Sequence, residues 1–244
     1  MFHPRIISIA SSKGGSGKTT AALNLGVALS HLGKDVTVVD SNLHNPNIGL
    51  HLGAPQVPIH LNHVLNDKYH ISEAVYRHKS GLKIVPASLS FRDMHTSLAN
   101  LKGHLKQLET DYVLVDSPSG FHDNSIHAIS SADEILVVTQ PELPAVSDAL
   151  KTIRLARSLG IGCRGVIVNK TGSRHDMKTR EIESFLGSKV LASVPFDSNV
   201  RFSLRTREPL AYIDPESPSS VAFRNLAKHL TGHPIEKEKF LGLF

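Results

Sequence analysis

The chain has 244 residues, of which 40% are hydrophobic and 20% are charged, so it can bury a sizeable core and is not expected to be disordered. Its formal net charge is +5, and its single cysteine, Cys163, excludes both an internal disulfide framework and a metal site built from several cysteines of one chain. No apolar run approaches the roughly 18 residues of a membrane-spanning helix, and the N-terminus lacks the charged-then-apolar pattern of a secretion signal. We therefore expect a soluble intracellular protein with one domain.

Short apolar runs rich in Val and Ile alternate with longer helical stretches along the chain. Near-continuous apolarity is typical of strands that are covered on both faces of a parallel sheet. The predicted strands are Ile6–Ala10, Val36–Val39, Leu82–Val85, Tyr112–Val115, Ile135–Thr139, Val166–Val168 and Val190–Val194. The clearest predicted helices, each followed by a glycine, are Thr19–Leu32, Ala145–Leu159 and Pro218–Leu230. This alternation predicts a three-layer α/β/α domain over residues 1–234, with a mostly parallel sheet of about seven or eight strands, and a short apolar tail over residues 235–244.

A glycine-rich loop follows the first predicted strand and leads directly into the first predicted helix. The loop reads Lys13-Gly14-Gly15-Ser16-Gly17-Lys18-Thr19-Thr20. Glycines let several backbone N–H groups point inward at a phosphate, and the N-terminus of the helix adds partial positive charge. In this motif Lys18 supplies a full positive charge to the outer phosphates, and the Thr19 hydroxyl is placed to bind Mg²⁺. The loop and its setting therefore predict a site for Mg²⁺ and a nucleoside triphosphate.

A second lysine, Lys13, stands at the start of this loop, where a minimal phosphate loop does not require one. With it the sequence resembles the MinD/ParA family of deviant Walker A ATPases, whose signature reads K-G-G-x-G-K-T-T. The resemblance implies an ATP-dependent homodimer in which Lys13 of one subunit reaches the phosphates bound by the other. Such a lysine acts like an arginine finger supplied in trans, because it neutralises charge as the terminal phosphate departs. ATP binding and dimerisation are then linked, since the nucleotide contacts both subunits.

Later segments extend this resemblance over nearly the whole chain. The strand that ends at Asp116 is similar to the family's Walker B strand, which implies that Asp116 holds a magnesium-bound water and that the Gly120 region senses the terminal phosphate. Asn169 is implied to face adenine; alternatively, it forms an Asx turn where the chain leaves a strand. Pro195 and Asp197 resemble the loop that closes over the base.

The segment after the second predicted strand departs from the family's pattern. Relatives commonly read D-x-D here, and the second aspartate positions the attacking water, whereas this chain reads Asp40-Ser41-Asn42. Asp40 remains and can help to arrange the magnesium shell. The Asn42 amide can orient a water through its carbonyl oxygen, but it cannot accept a proton as a carboxylate does. We predict that ATP still binds and that hydrolysis is slow or waits for an unidentified activating protein.

The C-terminal tail bears on which surface the ATP-bound dimer would contact. The side chains of Phe240, Leu241, Leu243 and Phe244 would share one face of a helical turn, like a shortened MinD membrane-targeting segment. Two tails on one dimer would act together, so membrane affinity would depend on ATP. The alternative is that these residues pack back onto the protein's own surface or fray.

The basic charge of the C-terminal portion supports a different surface, DNA. Residues 151–244 carry 16 Lys and Arg against 9 Asp and Glu, and they include Arg201, Arg205 and Arg207. These arginines would neutralise DNA phosphates as in ParA-like relatives, or they form a solvated basic face. We expect a MinD-type spatial regulator for cell division or positioning, cytoplasmic and peripheral at the inner face of the cell membrane. A DNA-binding partition ATPase and a nucleotide-gated adaptor with little turnover are the alternatives.

Overall fold

The computed structural model describes residues 3–93 and 96–234. In these residues eight strands form one sheet in the order β3-β4-β2-β5-β1-β6-β7-β8, and only the edge pair β3–β4 is antiparallel. The strands are β1 (Arg5–Ala10), β2 (Val36–Asp40), β3 (Tyr76–Arg77), β4 (Lys83–Val85), β5 (Tyr112–Asp116), β6 (Glu134–Thr139), β7 (Gly162–Thr171) and β8 (Val190–Pro195). The predicted, mostly parallel α/β sheet is confirmed.

Helices connect the parallel strands and cover both faces of the sheet. The longer ones are α1 (Lys18–His31), α5 (Asp123–Ser130), α6 (Leu143–Ser158), α7 (Thr179–Leu186), α8 (Asn199–Thr206) and α10 (Pro218–Thr231). The short ones are α2 (Ile48–His51), α3 (Leu61–Leu65), α4 (Leu101–Leu105) and α9 (Leu210–Ile213), with single 3-10 turns at Ile71–Ala74 and Phe91–Asp93. Among the described residues, no helix has the length and apolarity needed to cross a bilayer.

The core is divided between the two faces of the sheet, because successive side chains of a strand point to opposite sides. Ile7 of β1 packs in a cluster with α1 and α10, whereas its neighbour Ile6 packs with α3 and α4 on the other face. A third cluster joins α6 and α7 to β6 and β7. The strands are therefore buried on both sides, which explains why their sequences read as continuous apolar runs.

The seven strands and three helices predicted from sequence are present, with ends displaced by a residue or two in most cases. Strand β7 is much longer than its predicted core Val166–Val168, because its polar ends pair with β6 and β8 at the rim of the sheet. The N-cap of α10 is Ser217, whose hydroxyl accepts a hydrogen bond from the Ser220 backbone N–H at 3.2 Å.

Candidate nucleotide site

Two aspartates lie side by side at the carboxyl edge of the sheet. Strands β2 and β5 are parallel neighbours in a register that pairs Asp40 with Asp116, and β5 also pairs with β1 so that Asp116 lies opposite Ile9. Because parallel strands end at the same edge, the loop that leaves β1 starts at the edge where both carboxyl groups lie. The last residue of β1 is Ala10, and α1 begins at Lys18.

Gly15 and Gly17 of this loop have positive φ angles, and close packing also excludes a side chain at Gly17. Gly17 is the N-cap of α1 with φ of +100°, in the left-handed region that L residues rarely adopt. A Cβ atom at Gly17 would lie 2.2 Å from the Asn169 amide nitrogen. That nitrogen donates a hydrogen bond to the Ser16 carbonyl at 2.8 Å, and Lys170 Nζ donates to the Gly15 carbonyl at 3.0 Å. The end of β7 thus holds the phosphate loop in place.

Lys18 and Thr19, in the first turn of α1, sit above Asp116. The Thr19 hydroxyl donates a hydrogen bond to Asp116 Oδ2 at 2.6 Å. Lys18 is buried, and burial lowers the pKa of its ammonium group, although attraction to Asp116 acts in the opposite direction. The second carboxylate oxygen, Asp116 Oδ1, is buried without a hydrogen-bond partner among the described residues. A carboxylate oxygen of this kind needs a cation or a bound water.

Asp40 is fully buried and is held by three backbone donors. Its Oδ2 accepts hydrogen bonds from the N–H groups of Asn47 at 2.8 Å and Ile48 at 2.9 Å, and its Oδ1 accepts from Asn42 N–H at 3.2 Å. Burial, followed by repulsion from Asp116, raises the pKa of Asp40 to about 7 against the lowering effect of these donors. Burial also raises the pKa of Asp116 to about 6.

This arrangement fits a hard divalent cation. Two buried carboxyl groups with raised pKa values, one orphaned carboxylate oxygen and an adjacent hydroxyl form an oxygen-rich site. Mg²⁺ prefers oxygen ligands and is usually bound through one or two carboxylates together with substrate phosphates. Thr19 and Asp116 would hold the ion and its waters, and Asp40 would add fixed negative charge nearby.

A cavity of about 600 Å³ extends from the phosphate loop across the ends of β7 and β8. Of the residues predicted from sequence, those that line it are Gly15, Gly17, Lys18, Thr19, Thr20, Asn42, Asn169, Pro195 and Asp197. One oxygen of Asp197 accepts a hydrogen bond from Asn199 N–H at 2.9 Å, and the other is buried without a partner among the described residues. The cavity therefore has the phosphate loop at one end and the ends of β7 and β8 at the other.

Besides the buried Asp40 and Asp116, four other predicted residues of the described chain do not line this cavity. Lys13 is about half exposed, and its Nζ lies 3.9 Å from Glu142 Oε2. A Cβ atom at Gly14 would come within 3.8 Å of the Ser119 hydroxyl, and the Ser16 hydroxyl is buried without a hydrogen-bond partner among the described residues. Gly120 follows β5 with a φ of +93°. The tail residues Phe240, Leu241, Leu243 and Phe244 lie outside the described residues.

Sequence reasoning missed several residues of the site. Lys170 and Gln140 bind the Gly15 carbonyl, and Asn24 of α1 accepts a hydrogen bond from Ala211 N–H at 2.7 Å. Asn24 could have been found, because it is a polar residue within an otherwise apolar helical stretch. Lys170 gave no such signal, since its role depends on a left-handed backbone with φ of +59° at the end of β7.

Comparison with known proteins agrees with this geometry. Residues 3–231 match the ParA family, described as NUBPL iron-transfer P-loop NTPase. An uncharacterized ATP-binding protein of Methanocaldococcus jannaschii is 36% identical over 98% of this chain and 94% of its own length. Because this chain has only Cys163, it lacks the paired cysteines that would hold an iron–sulfur cluster within one chain.

Two solved structures are similar over nearly their whole length. The MinD septum site-determining protein of Pyrococcus horikoshii, complexed with Mg-ADP, is 31% identical with a TM-score of 0.89, covering 93% of this chain and 96% of that one. A MinC:MinD cell division protein complex of Aquifex aeolicus contains a chain that is 28% identical with a TM-score of 0.81, covering 96% and 99%. The predicted cofactors, ATP and Mg²⁺, are confirmed. The phosphate loop and the paired aspartates agree with these similarities. The chain belongs to the MinD/ParA family of P-loop ATPases.

Proposed function

We propose that this protein is an ATP-driven switch that pairs two copies of itself around Mg·ATP and, in the paired state, associates with a membrane surface as a spatial regulator. The observation that supports the proposal is that the two lysines of the phosphate loop lie in different environments. Lys18 is buried beside Asp116 in its own site, whereas Lys13 stands half exposed outside the cavity. Lys13 is therefore available to a nucleotide bound by a second copy.

Within one copy, the residues around the phosphates have separate tasks. Lys18 and the loop N–H groups bind and orient the phosphates, while Thr19 and Asp116 hold the magnesium shell. When bound, Mg²⁺ neutralises charge that develops on the phosphate oxygens. Asn42 lines the cavity, where its carbonyl oxygen can orient a water but cannot remove its proton. This supports slow hydrolysis that a partner protein accelerates.

Replacing Asn42 by aspartate tests the claim of slow hydrolysis. The variant is expected to raise basal ATP turnover by at least about tenfold, because a positioned carboxylate contributes roughly 10²–10⁴ as a general base. Phosphate release measured at saturating Mg·ATP checks this. Asn45→Asp is the matched control, since Asn45 lines the same cavity and the change adds the same charge. Equal turnover of the natural chain and Asn42→Asp would contradict the assigned role.

The surface bound in the ATP state is tested with vesicles and DNA. We expect the chain to sediment with anionic vesicles in Mg·ATP and to lose this binding when residues 235–244 are removed. Two weak apolar tails on one dimer act together, so the binding should disappear in ADP. A gel-shift assay across salt concentrations is the companion measurement, because Arg201 and Arg205 of α8 are exposed. DNA binding that is indifferent to the tail, without vesicle binding, would favour the ParA-like alternative.

The proposal also includes a protein partner and a location. The MinD chain of Aquifex aeolicus forms a complex with MinC, and a second protein that recognises the paired state of this chain would supply the missing acceleration of turnover. For its location we propose the cytoplasm and the inner face of the cell membrane, where only the ATP-bound pair would accumulate.

A further inference from the structure

Lys170 has an unusual position at the end of β7. In the β7–β8 ladder Asn169 pairs with Val194. The next pair joins Thr171 to Pro195, so no residue of β8 opposes Lys170. Its φ of +59° lies in the left-handed region, which is uncommon for a residue that carries a side chain. An extra strand residue of this kind is a β-bulge, and bulges beside active sites often redirect a side chain.

The side chain of Lys170 reaches the phosphate loop. Its Nζ donates a hydrogen bond to the Gly15 carbonyl at 3.0 Å. The neighbouring Asn169 side chain bonds to both partners of this contact, because its Oδ1 accepts from Lys170 N–H at 2.9 Å and its Nδ2 donates to the Ser16 carbonyl at 2.8 Å. None of the ion pairs found among the described residues involves Lys170, so no acidic side chain competes with the loop carbonyl for this ammonium group.

The bulge brings two neighbouring side chains to the same loop. In a regular strand the side chains of Asn169 and Lys170 would point to opposite faces of the sheet. Here they bond to successive carbonyls of the loop, those of Ser16 and Gly15. Gln140 Nε2 also donates to the Gly15 carbonyl, at 3.4 Å. That bond is longer and its donor is neutral, so Lys170 is the stronger donor of the two.

A donor that fixes a carbonyl also fixes the N–H group of the same peptide unit. The unit is planar and trans, so its C=O and N–H point in opposite directions. By holding the Gly15 carbonyl, Lys170 sets the direction of the Ser16 N–H. By holding the Ser16 carbonyl, Asn169 sets the direction of the Gly17 N–H. The loop motif uses such backbone N–H groups to cradle phosphates.

We propose that Lys170 is a positioning residue of the phosphate loop, which holds the peptide unit between Gly15 and Ser16 in its phosphate-binding orientation before a nucleotide arrives. A loop that is already ordered loses less conformational freedom on binding, so the same contacts give a higher affinity. The left-handed backbone at Lys170 is the strained conformation that this contact requires. Its contribution to Mg·ATP binding rests on the proposed function, whereas the ordering of the loop does not.

Nitrogen-15 relaxation of the nucleotide-free full chain tests the ordering of the loop. The N–H order parameter of Ser16 is expected to be near about 0.85 in the natural chain and to fall towards about 0.6 in Lys170→Met, which lacks the donor. Lys170→Arg keeps a cationic donor and should restore most of the order. Lys170→Gly suits a left-handed backbone better than lysine does, so it should fold normally and still show the mobile loop of Lys170→Met.

Calorimetric titration with Mg·ADP and with inorganic tripolyphosphate measures the effect on phosphate binding. Both ligands should bind about tenfold more weakly to Lys170→Met, which is the range of one hydrogen bond to a charged group, and Lys170→Arg should restore most of the affinity. Tripolyphosphate has no base or sugar, so its weaker binding would place the effect at the phosphate loop. Lys106→Met, at an exposed position that does not line the cavity, is the control and should match the natural chain.

Two results would overturn the proposal. Weaker binding with an unchanged order parameter for Ser16 would show that Lys170 contacts the ligand directly. A lower order parameter with unchanged affinity for both ligands would show that the order of the loop does not serve binding. Since the relaxation experiment contains neither nucleotide nor lipid, its failure and the failure of ATP-dependent pairing or vesicle binding remain distinguishable.

Discussion

Lys13→Ala is expected to keep the protein monomeric in saturating Mg·ATP and to lower ATP turnover by about 10³-fold or more, the range of a charge supplied in trans. Nucleotide affinity of the monomer should change little, because Lys18 and the loop N–H groups bind the phosphates within one chain. The ion pair that Lys13 makes with Glu142 is long, at 3.9 Å, and both side chains are largely exposed. Such a pair contributes little to stability, so the variant should fold normally.

Light scattering in Mg·ATP and in Mg·ADP, together with phosphate release, measures this effect. Lys106→Ala removes an exposed lysine that does not line the nucleotide cavity and serves as the control. Two results would contradict the assigned role: an ATP-dependent dimer that forms without Lys13, or a natural chain that stays monomeric in saturating ATP. Lys18→Ala should instead abolish nucleotide binding, which separates the two lysines by the property that each one controls.

Asp116→Asn is expected to stabilise the metal-free protein at pH 8 by on the order of 2 kcal/mol and to abolish stabilisation by Mg·ATP. In the folded state the pKa of Asp40 is raised to about 7 and that of Asp116 to about 6, above their ordinary value of 3.8. The folded state therefore binds protons more tightly than the unfolded chain. Its stability should fall as the pH rises from about 4 to about 7, as both groups are forced to ionise together.

Thermal unfolding across pH 5 to 8, with and without Mg·ATP, checks the sign of this effect. The natural chain should lose stability with rising pH in the absence of magnesium and recover it when the cation neutralises the pair. The asparagine variant should show a flatter profile, while Glu109→Gln, at an exposed position, should follow the natural chain. A loss of metal-free stability in Asp116→Asn at pH 8 would contradict this prediction, because the lost attraction to Lys18 would then outweigh the burial and the repulsion that raise the two pKa values.

The phosphate loop and the strand ends could be predicted because their residue types are dictated by local geometry. Gly17 has a φ of +100°, so the backbone of the loop itself favours glycine at this position. Asp40 and Asp116 end apolar runs, and parallel strands bring such ends together. The hydrogen bonds from Asn47 and Ile48 to Asp40 could not be predicted, because they depend on how the chain turns seven and eight residues later.

The short helices, the edge strand β3 and the exposed aromatic residues near α8 could not be predicted from the sequence. Helices α2 and α3 have four and five residues and β3 has two, so neither the helical nor the strand period can repeat within them. The sequence predicted a basic surface that includes the arginines of α8. That Phe196 and Phe202 remain exposed beside them could not be known before the fold was available, because apolar residues are more often buried.

The hydrogen bonds of Asp40 to its own loop affect how variants of this protein should be made. Its carboxyl group accepts hydrogen bonds from the backbone N–H groups of Asn42, Asn47 and Ile48. A variant that lacks this side chain, made to slow hydrolysis and retain a bound nucleotide, would also lose the hydrogen bonds that hold the backbone leading into α2. A loss of partner binding in that variant could then come from the altered chemistry or from the altered loop. Asn42 binds Asp40 through its backbone N–H and not through its side chain. A substitution at Asn42 therefore changes the chemistry of the site and keeps the three hydrogen bonds to Asp40.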